Sequence, residues 1–461
     1  MTEPISTAEA SSAPSKTLDT ISRLLEDNQT QAADEALELL APSERLVILS
    51  RLEPLLRRRL VESIDPEDAA GYLHDIPEVQ ALRLLAKMSP TKAAEILETL
   101  PKDEQADFFG EMTESRQTSI LSEMPSEIAA EVRDLIAYET EEAGGIMIVD
   151  YVRVDENLTV AEVVDHLQNN ADKFSDFDVQ YVYVINEAQH LKGVLRLRDL
   201  VLSPRQKAVG ELMIQNPLAV NDRAPLIDLH NFFVEHNYVG VPVVDAAKKM
   251  VGVLRRGDVE EAMSNHYAED YLKSQGIVNE ELRTMPLALR SRRRLAWLSI
   301  NILLNIVAAS VIAFYQDTLS QVIALAVFLP IISDMSGCSG NQAVAVSMRE
   351  LSLGLVDPKE VLRVWMKEVS VGLINGFALG ILIALVALLW QGNGWLGVVV
   401  GLAMMLNTIV AVSLGGTLPL IMRQFKLDPA LASGPILTTV TDMCGFFLVL
   451  SGASLLIDKL V

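Results

Sequence analysis

Cysteine, histidine and aromatic residues are scarce in this 461-residue chain, which has two Cys, six His and 5% aromatics. Cys338 and Cys444 both fall in apolar stretches, so no disulfide framework is implied and a reducing compartment suits the soluble part. The soluble half contains no nucleophile-and-base pair, phosphate loop or His-rich metal motif, which argues against an enzyme. Basic residues are short on one side only. Residues 290–461 hold 11 Lys/Arg against 9 Asp/Glu, leaving 27 against 52 in residues 1–289, a balance of −25. Such a field repels nucleic acid and attracts cations. Residues 1–16 contain no apolar run after a basic start, so a disordered tail is expected to residue 18, with no signal peptide. A chain of this length exceeds a single core, and several domains are expected.

What is abundant is apolar sequence near the C-terminus. Five stretches approach the roughly 20 residues that cross a hydrocarbon core: Leu295–Tyr315, Leu319–Ser347 (interrupted), Val369–Trp390, Trp395–Met422 and Gly434–Ile457. Arg290, Arg292, Arg293 and Arg294 precede the first. Arg349, Lys359, Arg363 and Lys367 separate the second from the third, and Arg423 and Lys426 the fourth from the fifth. The other two loops carry no basic residue. This alternation places the soluble half in the cytoplasm and the C-terminus outside, in a multi-pass protein of the cell (inner or plasma) membrane.

Asp334 and Asp442 are the ionisable exceptions inside these spans. A mid-membrane carboxylate costs on the order of 2.5–3.5 kcal/mol, so it is expected to meet a polar cavity or an ion path, unless it is protonated or caps a broken helix. Pro330, Gly337 and Gly340 predict a weakened second helix with free backbone oxygens. Helical spacing puts Asp334, Cys338 and Asn341 or Gln342 on one face, and Thr438, Thr439 and Asp442 on another. Hard oxygen ligands of this kind suit Mg2+, Ca2+ or Mn2+. One carboxylate per chain is thin for such an ion, so a homodimer that doubles the carboxylates is expected.

The soluble half carries a repeat. Gly193-Val-Leu-Arg-Leu-Arg-Asp199 recurs 59 residues later as Gly252-Val-Leu-Arg-Arg-Gly-Asp258, each copy following a β-branched strand. The pattern resembles a tandem pair of CBS domains, small α/β units that often hold adenine nucleotides such as ATP. That resemblance implies nucleotide contact at Asp199 or Asp258. Arg196 and Arg255 replace the family's usual Ser or Thr, which puts this contact in question. Upstream, Pro66, Pro90, Pro101 and Pro125 each open a helical pattern with an apolar residue seven places on, so a stack of short helices is expected. Asp103 and Asp107 fall on one helical face, a repulsive pair unless a cation intervenes, or simply a solvated helix start.

The expected organisation is an acidic all-α superhelical domain over 19–142, CBS units over 143–203 and 204–262, a connecting helix over 263–289 and a five-helix transmembrane domain over 290–461. In this order, with Pro330 to Gln342 in the second span and Asp428 to Asp442 in the fifth, the chain resembles the MgtE family of Mg2+ channels. The resemblance implies a homodimer with its pore between the chains, Asp442 as pore carboxylate, and regulatory Mg2+ at or near Asp103, Asp107, Asp258, Glu261, Glu269 and Asp270; helical spacing adds Asp334, Asn341 and Thr438 as further pore residues. His266 stands where an acid is favoured. Ser336-Gly337-Cys338 stands where the family has Gly-Gly-Asn, and Asp334 where a small residue is usual, which leaves Mn2+, Co2+ or Zn2+ as alternative cargo. A membrane metal sensor that transports nothing is a further alternative.

Overall fold

The computed structural model describes residues 13–171, 180–277, 281 and 285–461. The chain divides into two compact units, Met1–Ser264 and Asn265–Val461. Most of the expected tail lies outside the described residues.

The first unit begins with ten short helices among the described residues, from Ala13–Glu26 to Ser126–Ile136. Pro42, Pro54, Pro66 and Pro90 occupy the first helical turn, where a missing N–H costs nothing, and Pro101 and Pro125 lie just before theirs. The apolar residues seven places on, Leu73, Leu97, Phe108 and Val132, are all buried in one continuous core. Each such side chain contributes roughly 1.5–3 kcal/mol. Arg57 is buried there too, donating to the carbonyl oxygens of Ser50 and Leu52 at 2.9 Å each and to Gln80.

The repeat folds as two small sheets. In the first, β1 (Arg153–Asp155) runs parallel to β2 (Tyr181–Ile185), which pairs antiparallel with β3 (Leu191–Arg196) and then β4 (Ile214–Gln215). In the second, β5 (Val220–Asn221) runs parallel to β6 (Gly240–Val244), which pairs antiparallel with β7 (Met250–Arg255). The two glycines of the motif occupy equivalent places. A Cβ on Gly193 would lie 2.4 Å from Met213 Sδ, and one on Gly252 would lie 2.5 Å from Met147 Sδ. The halves exchange edges: Val194 pairs with Ile214, which follows the first repeat, while Val253 pairs with Ile148, which precedes it. Ala143 and Met147 accordingly pack in the core of the second half, and Val209 in that of the first.

The helix after β7 runs from Arg256 to Ser274, so it begins earlier than the expected residue 263 and ends earlier than 289. Gly276 terminates it with φ +76°, a left-handed conformation that favours glycine.

The second unit holds five long helices: Leu287–Phe314, Leu325–Ser352, Val361–Gln391, Gly394–Gln424 and Pro429–Leu455. Among the described residues four are long and apolar enough to cross a membrane, the last of them over Gly434–Leu455. The remaining one, Leu325–Ser352, has 28 residues but carries the Ser, Asp, Asn and Gln side chains that lower its hydropathy. The expected weakening at Pro330 does not break the helix. Pro330 lies in the second turn, where only the carbonyl of Ala326 loses a partner, and the helix continues. The glycines serve close packing instead, since a Cβ on Gly340 would come within 3.0 Å of the Ala411 carbonyl oxygen. The chain breaks earlier, between the short helix Gln316–Gln321 and Leu325. The third and fourth helices approach through small residues in the same way, with Gly376 against Met405 and Gly380 against Gly401.

Candidate functional site

Burial divides the second membrane helix into two faces. Ser336, Gly337, Ser339, Gly340, Ala343 and Ser347 are buried against neighbouring helices. Asp334, Cys338, Asn341 and Gln342 are exposed within the single chain, as the spacing predicts. Beside this face, half-buried Asp442 accepts a hydrogen bond from the Ser333 hydroxyl, with Asp334 within electrostatic reach. Thr438 is exposed one turn earlier, and its hydroxyl lies 3.1 Å from the carbonyl oxygens of both Gly434 and Pro435. Thr439 donates to Pro435 at 2.7 Å. Both hydroxyls spend their protons on their own helix and keep lone pairs for a ligand. Hydrocarbon cannot solvate this stripe of carboxylates, hydroxyls, amide and thiol, so the face needs water, an ion or a second protein surface.

The first unit holds a separate acidic site. Among the described residues, the buried Asp103 Oδ1 has no hydrogen-bond partner. Burial pushes the Asp103 carboxyl up to about 6, with further lifting by Glu104, Asp150 and Asp258 and an opposing backbone hydrogen bond. Asp107 is pushed up to about 7 by burial and by Asp103, Glu78 and Glu104. Its side chain reaches solvent, so the acidic neighbours are the firmer cause. Asp258 joins this field while held by Arg255, which donates from Nε and Nη2 to its two oxygens at 2.9 Å each. The equivalent pair in the first repeat is Arg196 and Asp199, at 2.6 Å. Both aspartates suggested for nucleotide contact are therefore occupied by the arginines three places before them. Glu261 is exposed on the helix after β7. In the second unit Asp270 faces His266 at 3.7 Å, while Glu269 pairs with Lys273 at 3.3 Å.

Family models match over much of this length: an MgtE intracellular N domain at residues 40–141, CBS domains at 143–204 and 209–265, and an MgtE divalent cation transporter domain at 329–452. The magnesium transporter MgtE of Bacillus subtilis is 31% identical over 71% of this chain and 72% of its own length. The chain belongs to the MgtE family. It is thus a multi-pass membrane protein of a divalent cation transporter family, with an intracellular N domain and a CBS pair, and not an enzyme. MgtE of Thermus thermophilus is 33% identical over 71% of this chain and 73% of its own length. Among solved structures, the soluble part of a magnesium transporter is 25% identical and covers 55% of this chain and 99% of its own, with a TM-score of 0.49.

Several residues of this MgtE chain had no signal in the sequence. Ser333, the partner of Asp442, is one serine among many in the apolar half. Asp150 enters the Asp103 field from a loop. Asp34, Glu38 and Asp68 bring three carboxylates within 4.8 Å of one another, and Asp34 also accepts from the Tyr72 hydroxyl at 2.6 Å. Helical periodicity hints at the Asp34–Glu38 spacing alone. Glu281, nearly buried, receives Arg290 at 3.1 Å and Arg294 at 2.6 Å, so two of the arginines before the first span are paired.

Proposed function

We propose that this chain mediates uptake of a divalent cation, Mg2+ foremost, through a pore formed between two copies, and that cytosolic Mg2+ closes it. The observation that supports this most is the polar face of Leu325–Ser352 beside Asp442. In a twofold dimer the carboxylates double around a hydrated ion, and the face meets water and its own counterpart instead of lipid. Inward movement follows the membrane potential, which favours a divalent cation by about 4.6 kcal/mol per 100 mV. This reading puts the N-terminus in the cytoplasm and the C-terminus outside, in the cell membrane.

Regulation falls to Asp103, Asp107, Asp258 and Glu261, with Glu269 and Asp270 further along the same helix. Cations bound by the carboxylates of each unit would offset the repulsion within it. They must bind the closed state more tightly to bias the gate. A nucleotide such as ATP would have to take Asp199 from Arg196, or Asp258 from Arg255, to reach a ribose contact there. Cys338, exposed on the same face as Asp334, supports a second reading in which Mn2+, Co2+ or Zn2+ is the cargo.

The test is ion uptake into liposomes holding the purified protein, with Mg2+, Mn2+, Co2+ and Zn2+ offered separately. Mg2+ entry that stops when internal Mg2+ rises is expected. Well-folded protein that passes none of these ions would favour a sensor that transports nothing.

A further inference from the structure

At the centre of the second unit, Asn407 on Gly394–Gln424 is fully buried, and among the described residues neither its amide nitrogen nor its carbonyl oxygen has a hydrogen-bond partner. A membrane interior offers no solvent to such a group, so it demands a ligand. Its surroundings lie directly behind the Asp442–Ser333 pair. A Cβ on Gly445 would come within 2.8 Å of Asn407 Nδ2 and 3.5 Å of Ile332, so the amide occupies the space that this glycine leaves open. Ile332 adjoins Ser333. Gly445 lies one turn beyond Thr441 on the same face, and Thr441 adjoins Asp442.

Two more buried hydroxyls lie on the helices that pack against Gly394–Gln424, and a Cβ on Gly337, next to Ser336, would lie 4.0 Å from Thr441 Oγ1. Thr441 is fully buried and donates to the Thr438 carbonyl oxygen at 3.0 Å, leaving its lone pairs free. Ser336, also fully buried, has Met404 Sδ at 3.9 Å, one turn from Asn407 on the same helix. The cluster therefore combines amide donors on one helix with hydroxyl acceptors on the other two. A buried water typically makes about three such bonds, accepting from an amide and donating to hydroxyl oxygens.

We infer that Asn407 holds a buried water behind Asp442, and that this bridge fixes the rotation of the last span and so the direction of its carboxylate. Asn407 is then a positioning residue, set back from the ion. The inference rests on Asp442 lying on the cation path.

Asn407→Leu keeps the branched shape, removes the polarity and adds the bulk of two methyl groups. It should stay monodisperse, yet raise the half-saturating Mg2+ concentration for liposome uptake at least fivefold and shift the Mn2+/Mg2+ rate ratio. Asn407→Ser leaves a hydroxyl and room for water, and should stay within threefold of wild type. Gly445→Ala drives a methyl against the Asn407 amide, pushing it off the water, and should copy the leucine variant. Adding Asn407→Ala should not restore it, because the amide that holds the water is then lost as well. Should Asn407→Leu fail to fold, the serine and Gly445→Ala variants carry the same comparison. Half-saturation and ion ratio unchanged in Asn407→Leu or Gly445→Ala would overturn the positioning role. In labelled protein, the Asn407 side-chain amide, assigned by its loss in Asn407→Ser, should show a solid-state NMR contact to water. Absence of that contact sinks the bridge even if wild type carries no Mg2+, whereas failed wild-type flux with the contact present refutes only the transport reading.

Discussion

Asp442→Asn is the sharpest perturbation of the ion path. The amide keeps the volume and still accepts the Ser333 proton, so packing of the last span against Leu325–Ser352 should survive. What disappears is one negative charge. Mg2+ holds its waters at about 2.1 Å, and such a water donates to a carboxylate at about 2.7 Å, which places the ion about 5 Å from Asp442. With an effective dielectric of about 20, the attraction between charges of two and one at that separation is roughly 6–7 kcal/mol. Most of this replaces hydration. If about 2 kcal/mol survives, occupancy falls about thirtyfold per carboxylate, and two copies facing one ion lose two to three orders of magnitude in flux. The assay is dye-reported Mg2+ entry into liposomes under an inside-negative potential, with thermal melting to confirm folding. Flux within threefold of wild type from stable Asp442→Asn would refute the reasoning.

Asp334→Gly removes the second carboxylate from the exposed face and should change the ratios of Mg2+, Mn2+ and Zn2+ uptake more than expression; unchanged ratios would count against a role in selection. Cys338, exposed beside Asp334, should make uptake sensitive to Cd2+ and to hydrophilic thiol reagents, and Cys338→Ser should abolish that sensitivity while half-buried Cys444 contributes little. With their carboxyls raised to about 6 and about 7, Asp103 and Asp107 still hold protons near neutrality when no cation is present. Because these folded values lie above the ordinary one, both groups favour the folded state at low pH and lose that contribution as pH rises through 6–7. Bound Mg2+ stabilises the charged forms, so it should raise the melting temperature more at pH 8 than at pH 5.5. Calorimetry in buffers of differing ionisation heat should also detect proton release at pH 6.5 and little at pH 8.5.

The elements that could be read from the sequence were those set by local rules. Proline at a first helical turn depends on its own φ and the residues next to it, so the helix starts at Pro66 and Pro90 were visible, and Leu73 and Leu97 follow by periodicity. The polar stripe from Asp334 to Asn341 was equally legible, because spacing alone decides a helical face. Pro330 misled because its effect depends on distance from the helix start, which lies at Leu325 and not at Leu319. The glycines of that span read as weakness, although Gly340 is needed for contact with a helix seventy residues away. Ser333 and Asp442 are 109 residues apart, and no single-chain pattern joins them. The two repeat glycines were found through their period, but the methionines that require them lie outside the motif.

That edge exchange between the repeats has a bearing on how the cytosolic part can fail. A chain cut after the first repeat would present Val194 without its neighbour strand and leave the space above Gly193 unfilled, while the second repeat alone would lack Met147 over Gly252. Truncation or a destabilising substitution in either copy should unravel both together, in one cooperative melting step, and a signal arriving at one lobe reaches the other through shared backbone.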